Sequence, residues 1–426
     1  MDFNMDKINK RRQQRQEYDQ ARRQQEKKIR VRLLVALAVL LLCGILILVV
    51  GQRNRNPVSN DQTTTTAQMT QDTTPIQTQP QADKTVIHFA AAGDLNITDD
   101  VVASGGAQYD YTNAFMDVLP LLAEADLTAM NFEGNACGFP YGKESAPQQL
   151  LAALKAAGVD MLQLANSKAI NRGIAGLNAT VQNIRSAGMA PVGAVKEGET
   201  PGAYVIRYVS GVKVAVVAFT KGMDGMAMPV GSENLVNLLY NDYASTYKSV
   251  NTRAVTKLLR RVQEESPDIT IALLHWGSEH SDVHSKSQNT IRDLMFAEGV
   301  DAIIGTHPHY VQEIAFDPEA GTFVAYSLGD FFGDATRSGT AYSIVLNLEI
   351  TKDNISGITK VTDFTYTPIY TVKDDAGLLR VMRLEEAISA YEKGRIGKVS
   401  PETYESMVYG LKRIEARVNP QEEEKQ

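Results

Sequence analysis

Three patterns of apolar and polar residues follow one another along the chain. Leu33 to Val50 is a run of 18 residues without a charge (LLVALAVLLLCGILILVV). As a helix it is about 27 Å long, close to the hydrocarbon thickness of a bilayer. Residues 52–84 are rich in Thr, Gln, Asn and Pro and hold almost no large apolar side chains. Such a stretch cannot bury enough surface to offset its chain entropy and is expected to be a disordered tether. From residue 85, short runs rich in β-branched residues alternate with helical periodicity. Strands are expected at 86–92, 127–132, 161–165, 213–219, 269–274, 301–305 and 322–328. Helices are expected at 147–158, 177–188, 252–265 and 290–299, the first, second and fourth ending on Gly158, Gly188 and Gly299. Continuous apolar strands separated by helices predict an α/β fold with mostly buried sheets. Residues 343–350 and 355–366 alternate instead, which suggests half-buried antiparallel strands in a second sheet or at an edge. Residues 376–415 read as amphipathic helix.

Charge changes the picture at both ends. Residues 1–32 carry 11 Lys and Arg against 5 Asp and Glu, so a chain of net charge −7 leaves −13 for the remainder. The basic flank places residues 1–32 in the cytoplasm and the domain beyond the membrane. The expected organisation is a cytoplasmic basic segment (1–32), a transmembrane helix (33–51), a linker (52–84), an extracytoplasmic domain (85–372) and a C-terminal helical segment and tail (373–426). The protein is thus expected at the cell membrane as a single-pass species. A cleaved signal peptide fits less well, because the apolar run is long and Gln52-Arg53-Asn54-Arg55 follows it. Cys43 sits mid-span after three leucines, which does not suit lipoprotein acylation. A domain this acidic lacks the basic footprint that nucleic acid needs. Two cysteines, Cys43 and Cys137, cannot form a disulfide framework or a cysteine-rich zinc site.

Candidate chemistry lies just after the strands. Asp94, Glu133, Asn166, His275, His307, His309 and Asp330 each follow or close an apolar run. In α/β sheets, ligands bind outside the C-terminal strand ends, so these side chains are expected to converge. Asp, Glu, Asn and His together suit a divalent metal ion. Five of the six histidines fall between 275 and 309, and Pro308 stiffens the His307-Pro308-His309 turn. His88 reads as structural, and His280 and His284 as solvated loop residues. Phosphate-loop, dinucleotide-binding and nucleophile-elbow motifs are all missing.

The segments AAAGDLNITDD (90–100), AMNFEG (129–134), LANSKAINRGIAGLNATVQNIRSAGM (164–189), HWGSEH (275–280), IIGTHPHYVQEI (303–314) and AYSLGDFF (325–332) stand in the order found in poly-γ-glutamate capsule synthesis proteins of the CapA type. The chain resembles that family over about 85–335. The resemblance implies a calcineurin-type metallophosphoesterase fold, an α/β/β/α sandwich with metals at the strand ends. It also implies that Asp94, Glu133, His275, His307 and His309 are metal-site residues and that Glu279 belongs to the site. The implied cofactor is a divalent metal ion, Mn, Zn or Fe. Implied partners are the membrane, a polymer-synthase membrane complex and an anionic cell-surface polymer.

One segment departs from the family. Where the family reads Leu-Ala-Asn-Asn-His-Ala-x-Asp-x-Gly, this chain reads LANSKAINRG, keeping Asn166 but carrying Ser167, Lys168 and Asn171. Asp330 also replaces an Asn of the family pattern. An ammonium has no lone pair for a metal and is a poor proton shuttle unless strongly desolvated. Lys168 is therefore expected to line the pocket, either beside one retained metal or in place of a metal. Three functions follow: a CapA-like protein assisting synthesis, export or anchoring of an anionic polymer; a metal-dependent hydrolase of phosphoester or amide bonds; or a structural envelope domain. The altered segment argues for reduced or no catalysis, and no catalytic residue is assigned. A surface of net −13 repels a polyanion unless a basic patch or bridging cations intervene.

Overall fold

Apolar runs that the pattern placed in buried strands lie in the middle of two sheets. The structure is a computed structural model that describes residues 83–418, except 144, 334–336, 375 and 396–398. The expected transmembrane helix, nearly all of the linker and the tail after Val418 lie outside the described residues. No helix of the described residues is long and apolar enough to cross a membrane.

The first sheet has eight strands in the order β14-β13-β12-β1-β2-β3-β4, with β11 paired to β1. Its parallel half is β1 (Lys84–Asn96), β2 (Leu127–Glu133), β3 (Met161–Gln163) and β4 (Ala190–Val192). Its antiparallel half is β12 (Tyr342–Asp353), β13 (Thr359–Lys373) and β14 (Leu379–Arg383). β11 (Asp330–Phe332) runs parallel to β1. The second sheet has the order β5-β6-β7-β8-β10-β9. It comprises β5 (Tyr204–Val209), β6 (Val212–Thr220), β7 (Ile269–His275), β8 (Ala302–Thr306), β9 (Ile314–Asp317) and β10 (Thr322–Ala325). One continuous buried core contains residues of both sheets, such as Phe89 and Leu162 from the first and Val216 and Ile304 from the second. The protein is therefore a mixed α/β fold built on two sheets.

Six helices of nine residues or more stand among the described residues: α1 (Gln148–Ala156), α2 (Gly173–Ser186), α3 (Thr252–Glu264), α4 (Lys286–Ala297), α5 (Leu384–Glu392) and α6 (Pro401–Val418). Helix α4 begins at a capping box in which Ser285 and Gln288 satisfy one another's backbone N–H groups. Helix α3 buries Val255, Leu258, Leu259 and Val262, a stripe at helical spacing.

One expectation is narrowed and one is corrected. Of the two places expected for the late antiparallel strands, a second sheet or an edge, they take the edge: they extend the first sheet from β1 outward. Residues 379–383 are not helical. They form edge strand β14, with Leu379 and Val381 buried on one face and Tyr370 opposite Met382 across the ladder. The LLRVM run offers apolar residues at both helical and strand spacing, and pairing with β13 decides between them.

Candidate metal centre

Parallel register brings the polar residues together. β1 and β2 pair so that Asp94 lies beside Asn131 and Asn96 beside Glu133. β1 and β11 pair so that Asp94 lies beside Asp330. In the other sheet Thr220, His275 and Thr306 lie side by side across β6, β7 and β8. His307 and His309 follow β8 with left-handed backbone, φ 91° and 61°, flanking Pro308. This conformation is costly for a non-glycine residue and is characteristic of functional loops.

Three groups of ligand atoms result, each gathered within 4.8 Å: Glu133, His275 and His307; Asp94, His309 and Asp330; and Glu279, His307 and His309. Of the sequence candidates, Asp94, Glu133, His275, His307, His309, Glu279 and Asp330 therefore meet at one place. His275 and His307 have ring centroids 4.4 Å apart, and His307 and His309 6.0 Å. The centre opens on a cavity of about 570 Å³ lined by Glu133, Lys168, Glu279, His280, His309 and Asp330, among others.

Asn166 acts one step back. Its Nδ2 donates to Asn131 Oδ1 at 3.0 Å and to the Phe132 carbonyl at 2.7 Å, and its Oδ1 accepts from the Lys168 N–H. Asn131 in turn donates to Asp94. Ser167 donates its hydroxyl to Glu133 Oε1. Lys168 places its ammonium 2.5 Å from Asp224 Oδ2, a carboxylate outside the three groups. Asn171 keeps a buried Oδ1 with no hydrogen-bond partner. His280 lines the cavity, whereas His284 is buried rather than solvated. Its ring stacks on Tyr326 with 4.0 Å between centroids and pairs with Glu313.

Sequence reading missed Asn131, Ser167 and Thr220 as supports. Thr220 Oγ1 must donate to the Gly222 carbonyl, 2.9 Å away, because a carbonyl offers no proton. It therefore accepts from His275 Nδ1, 3.2 Å away. That fixes the proton on Nδ1 and turns Nε2 toward Glu133 Oε1 at 3.2 Å. A lone pair facing a carboxylate is repulsive unless a proton or a metal ion lies between them.

Electrostatics point the same way. Burial and the neighbouring Glu133 carboxylate push the Asp94 carboxyl up to about 8. Burial also raises Asp330, although His309 opposes it. Burial works against charging His309, yet the carboxylate and hydrogen bond of Asp330, then Glu133 and Asp94, carry it up to about 11. Burial, then His275 and Lys221, hold His307 well below the usual imidazole range. Burial would raise Glu133, but His275, His309 and His307 together hold it low. Three buried carboxylates in one space call for added positive charge.

The donor set fits a divalent cation on independent grounds. Glu133 Oε2 and both ring nitrogens of His307 are buried with no hydrogen-bond partner. Buried polar atoms are rarely left so unless something else satisfies them. Mixed carboxylate and imidazole ligands suit a transition-metal ion.

Fold and site thus define an α/β protein with a candidate divalent-metal centre at its strand ends. The chain belongs to the bacterial capsule synthesis protein PGA_cap family, whose model matches residues 88–335. Among its relatives is the capsule biosynthesis protein CapA of Bacillus anthracis, 27% identical over 266 residues that cover 60% of this chain and 61% of that protein. Another is the PGA biosynthesis protein CapA of Bacillus subtilis strain 168, 23% identical over 282 residues that cover 63% and 70%. The chain thus spans about three fifths of the length of the first. The crystal structure of the calcineurin-like phosphoesterase YfkN from Bacillus subtilis is a loose likeness, with TM-score 0.41, 18% identity and coverage of 76% of this chain and 99% of that one.

Proposed function

We propose that this chain is a CapA-like protein anchored in the cell membrane, whose extracytoplasmic domain assists synthesis, export or anchoring of a poly-γ-glutamate-type anionic polymer. We further propose that the domain works with a divalent metal ion, Mn, Zn or Fe, and has a metallophosphoesterase-like architecture. Family membership supports the polymer role. The apolar run at 33–50 and its basic flank support the anchor. The single observation that carries the metal is the buried, unpartnered set of Glu133 Oε2 and the His307 nitrogens.

Asp94, Glu133, Asp330, His275, His307 and His309 would hold the ion. Bound there, it would supply Lewis acidity or an ionic bridge between the acidic domain and polymer carboxylates. Asn131 and Asn166 orient Asp94, Ser167 orients Glu133, and Thr220 orients His275. Lys168 is paired with Asp224, and an ammonium offers no lone pair to a metal ion or a reacting proton. That favours binding over hydrolysis.

A second reading, metal-dependent hydrolysis of phosphoester or amide bonds, draws on the same unpartnered donors. Elemental analysis of the purified full chain, followed by assay against bis(4-nitrophenyl) phosphate and a γ-glutamyl amide, separates the two. The first reading expects bound metal and no turnover. Sustained turnover that chelation abolishes would replace it with the second, and a chain that takes up no metal under any loading would end both.

A further inference from the structure

Helix α6 lies beyond the residues matched by the family model, yet it reaches the loops that carry the centre. Arg413 and Arg417, one turn apart, each place Nη2 2.7 Å from the same oxygen, Asp282 Oδ2. Asp282 sits in the loop between β7 and α4, three residues after Glu279 and two after His280. The Arg417 guanidinium also lies 5.6 Å over the ring of Tyr310, which follows His309. Tyr310 in turn meets the His280 ring edge to face at 5.6 Å.

These two loops are already tied to one another. The His280 N–H donates to the Pro308 carbonyl at 2.8 Å, and buried Gln312 donates to the carbonyls of Ser281 and Val283. His280 is itself left-handed, φ 58°. Helix α6 braces the pair from behind through Arg413 and Arg417.

The arrangement is a poor way to gain stability. Two cations share one carboxylate oxygen, and the Arg417 side chain is only 10% exposed. Arg413 Nε, Arg417 Nε and Arg417 Nη1 are buried with no hydrogen-bond partner. Arg413 and Asp282 are each more than a third exposed, and ion pairs so exposed add little stability, so their use lies in fixing a conformation. We propose that Arg413, Arg417 and Asp282 are positioning residues for the candidate metal centre: the C-terminal helix holds the Glu279–His280 and His307–His309 loops in ligating geometry. This inference rests on the metal reading above for its consequence, but its geometry stands apart from it.

The test uses the full chain, with Mn2+ as probe, measured by titration calorimetry and by hydrogen exchange. R413M/R417M is expected to bind Mn2+ about tenfold more weakly, in the range that outer supports of metal sites give. Exchange should quicken over 276–285 and 307–312 while β6, β7 and β8 keep their protection. R413K/R417K, which restores charge, should recover most of the affinity, and adding Asp282→Asn to R413M/R417M should cost nothing further. Wild-type affinity together with unchanged exchange in those two loops overturns the proposal. If R413M/R417M loses protection throughout, Asp282→Asn alone decides by the same two measurements. If the wild-type chain binds no Mn2+, the metal reading fails, and loop exchange by itself decides whether the brace exists.

Discussion

At the scale of single residues, the centre is defined as much by what orients its ligands as by the ligands. Thr220→Val removes a hydroxyl while keeping the side chain's shape. It should free the His275 tautomer and weaken Mn2+ binding by about 10- to 100-fold, with unfolding free energy changed by about 1 kcal/mol. Calorimetric titration and urea unfolding of one preparation measure both, and an unchanged affinity would mean that Thr220 does not set the tautomer. Asp94, Glu133, Asp330, His275, His307 and His309 were legible in the sequence because each ends or follows an apolar run, whereas Glu279 was reached only through the resemblance. Thr220, Asn131 and Ser167 were not, because a polar residue at a strand end or in a loop shows no partner until register supplies one. A pH prediction belongs to the metal-free protein. Asp94 is raised from 3.8 to about 8 and His309 from 6.5 to about 11, so each favours the folded state at low pH and ceases to as pH climbs through its folded value. Glu133 and His307 are lowered and act only in more acid solution. The melting temperature in chelator should therefore fall from pH 7 to pH 9, and saturating Mn2+ should flatten that slope. A chelated melting temperature that rises with pH would contradict these assignments.

At the scale of elements, one glycine lets two strands and a loop meet. A Cβ on Gly93 would lie 1.8 Å from the Gly329 carbonyl oxygen, and Gly329 accepts the Asp94 N–H at 3.0 Å. Gly93→Ala should therefore push Asp94 away from Asp330. We expect it to cost about 2–3 kcal/mol in chemical unfolding and to lower metal content at once. Stability kept within about 0.5 kcal/mol of wild type would show that the backbone shifts without strain. The parallel strands β1, β2, β6, β7 and β8 were visible as apolar runs because both faces are buried. β11 and β14 were not. Three residues of Asp330–Phe332 carry no periodicity, and Leu379–Arg383 adjoins a true helix, so only pairing with β1 and β13 defines them.

For the whole molecule, the proposed topology makes a direct expectation. The full chain should sediment with membranes, need detergent for release, and yield its folded domain when protease is added to the outside of cells. Recovery in the soluble fraction without proteolytic trimming would remove the anchor. The two sheets also divide the chemistry. The buried carboxylates Asp94, Glu133 and Asp330 all come from the eight-stranded sheet, and His275 ends a strand of the six-stranded one, with His307 and His309 just past another. An ion seated among them is a rivet through a seam, with acid on one plate and base on the other. Stripping it should loosen both plates together, so that the crossover at 193–203 resists protease while the rivet is in and yields once it is drawn.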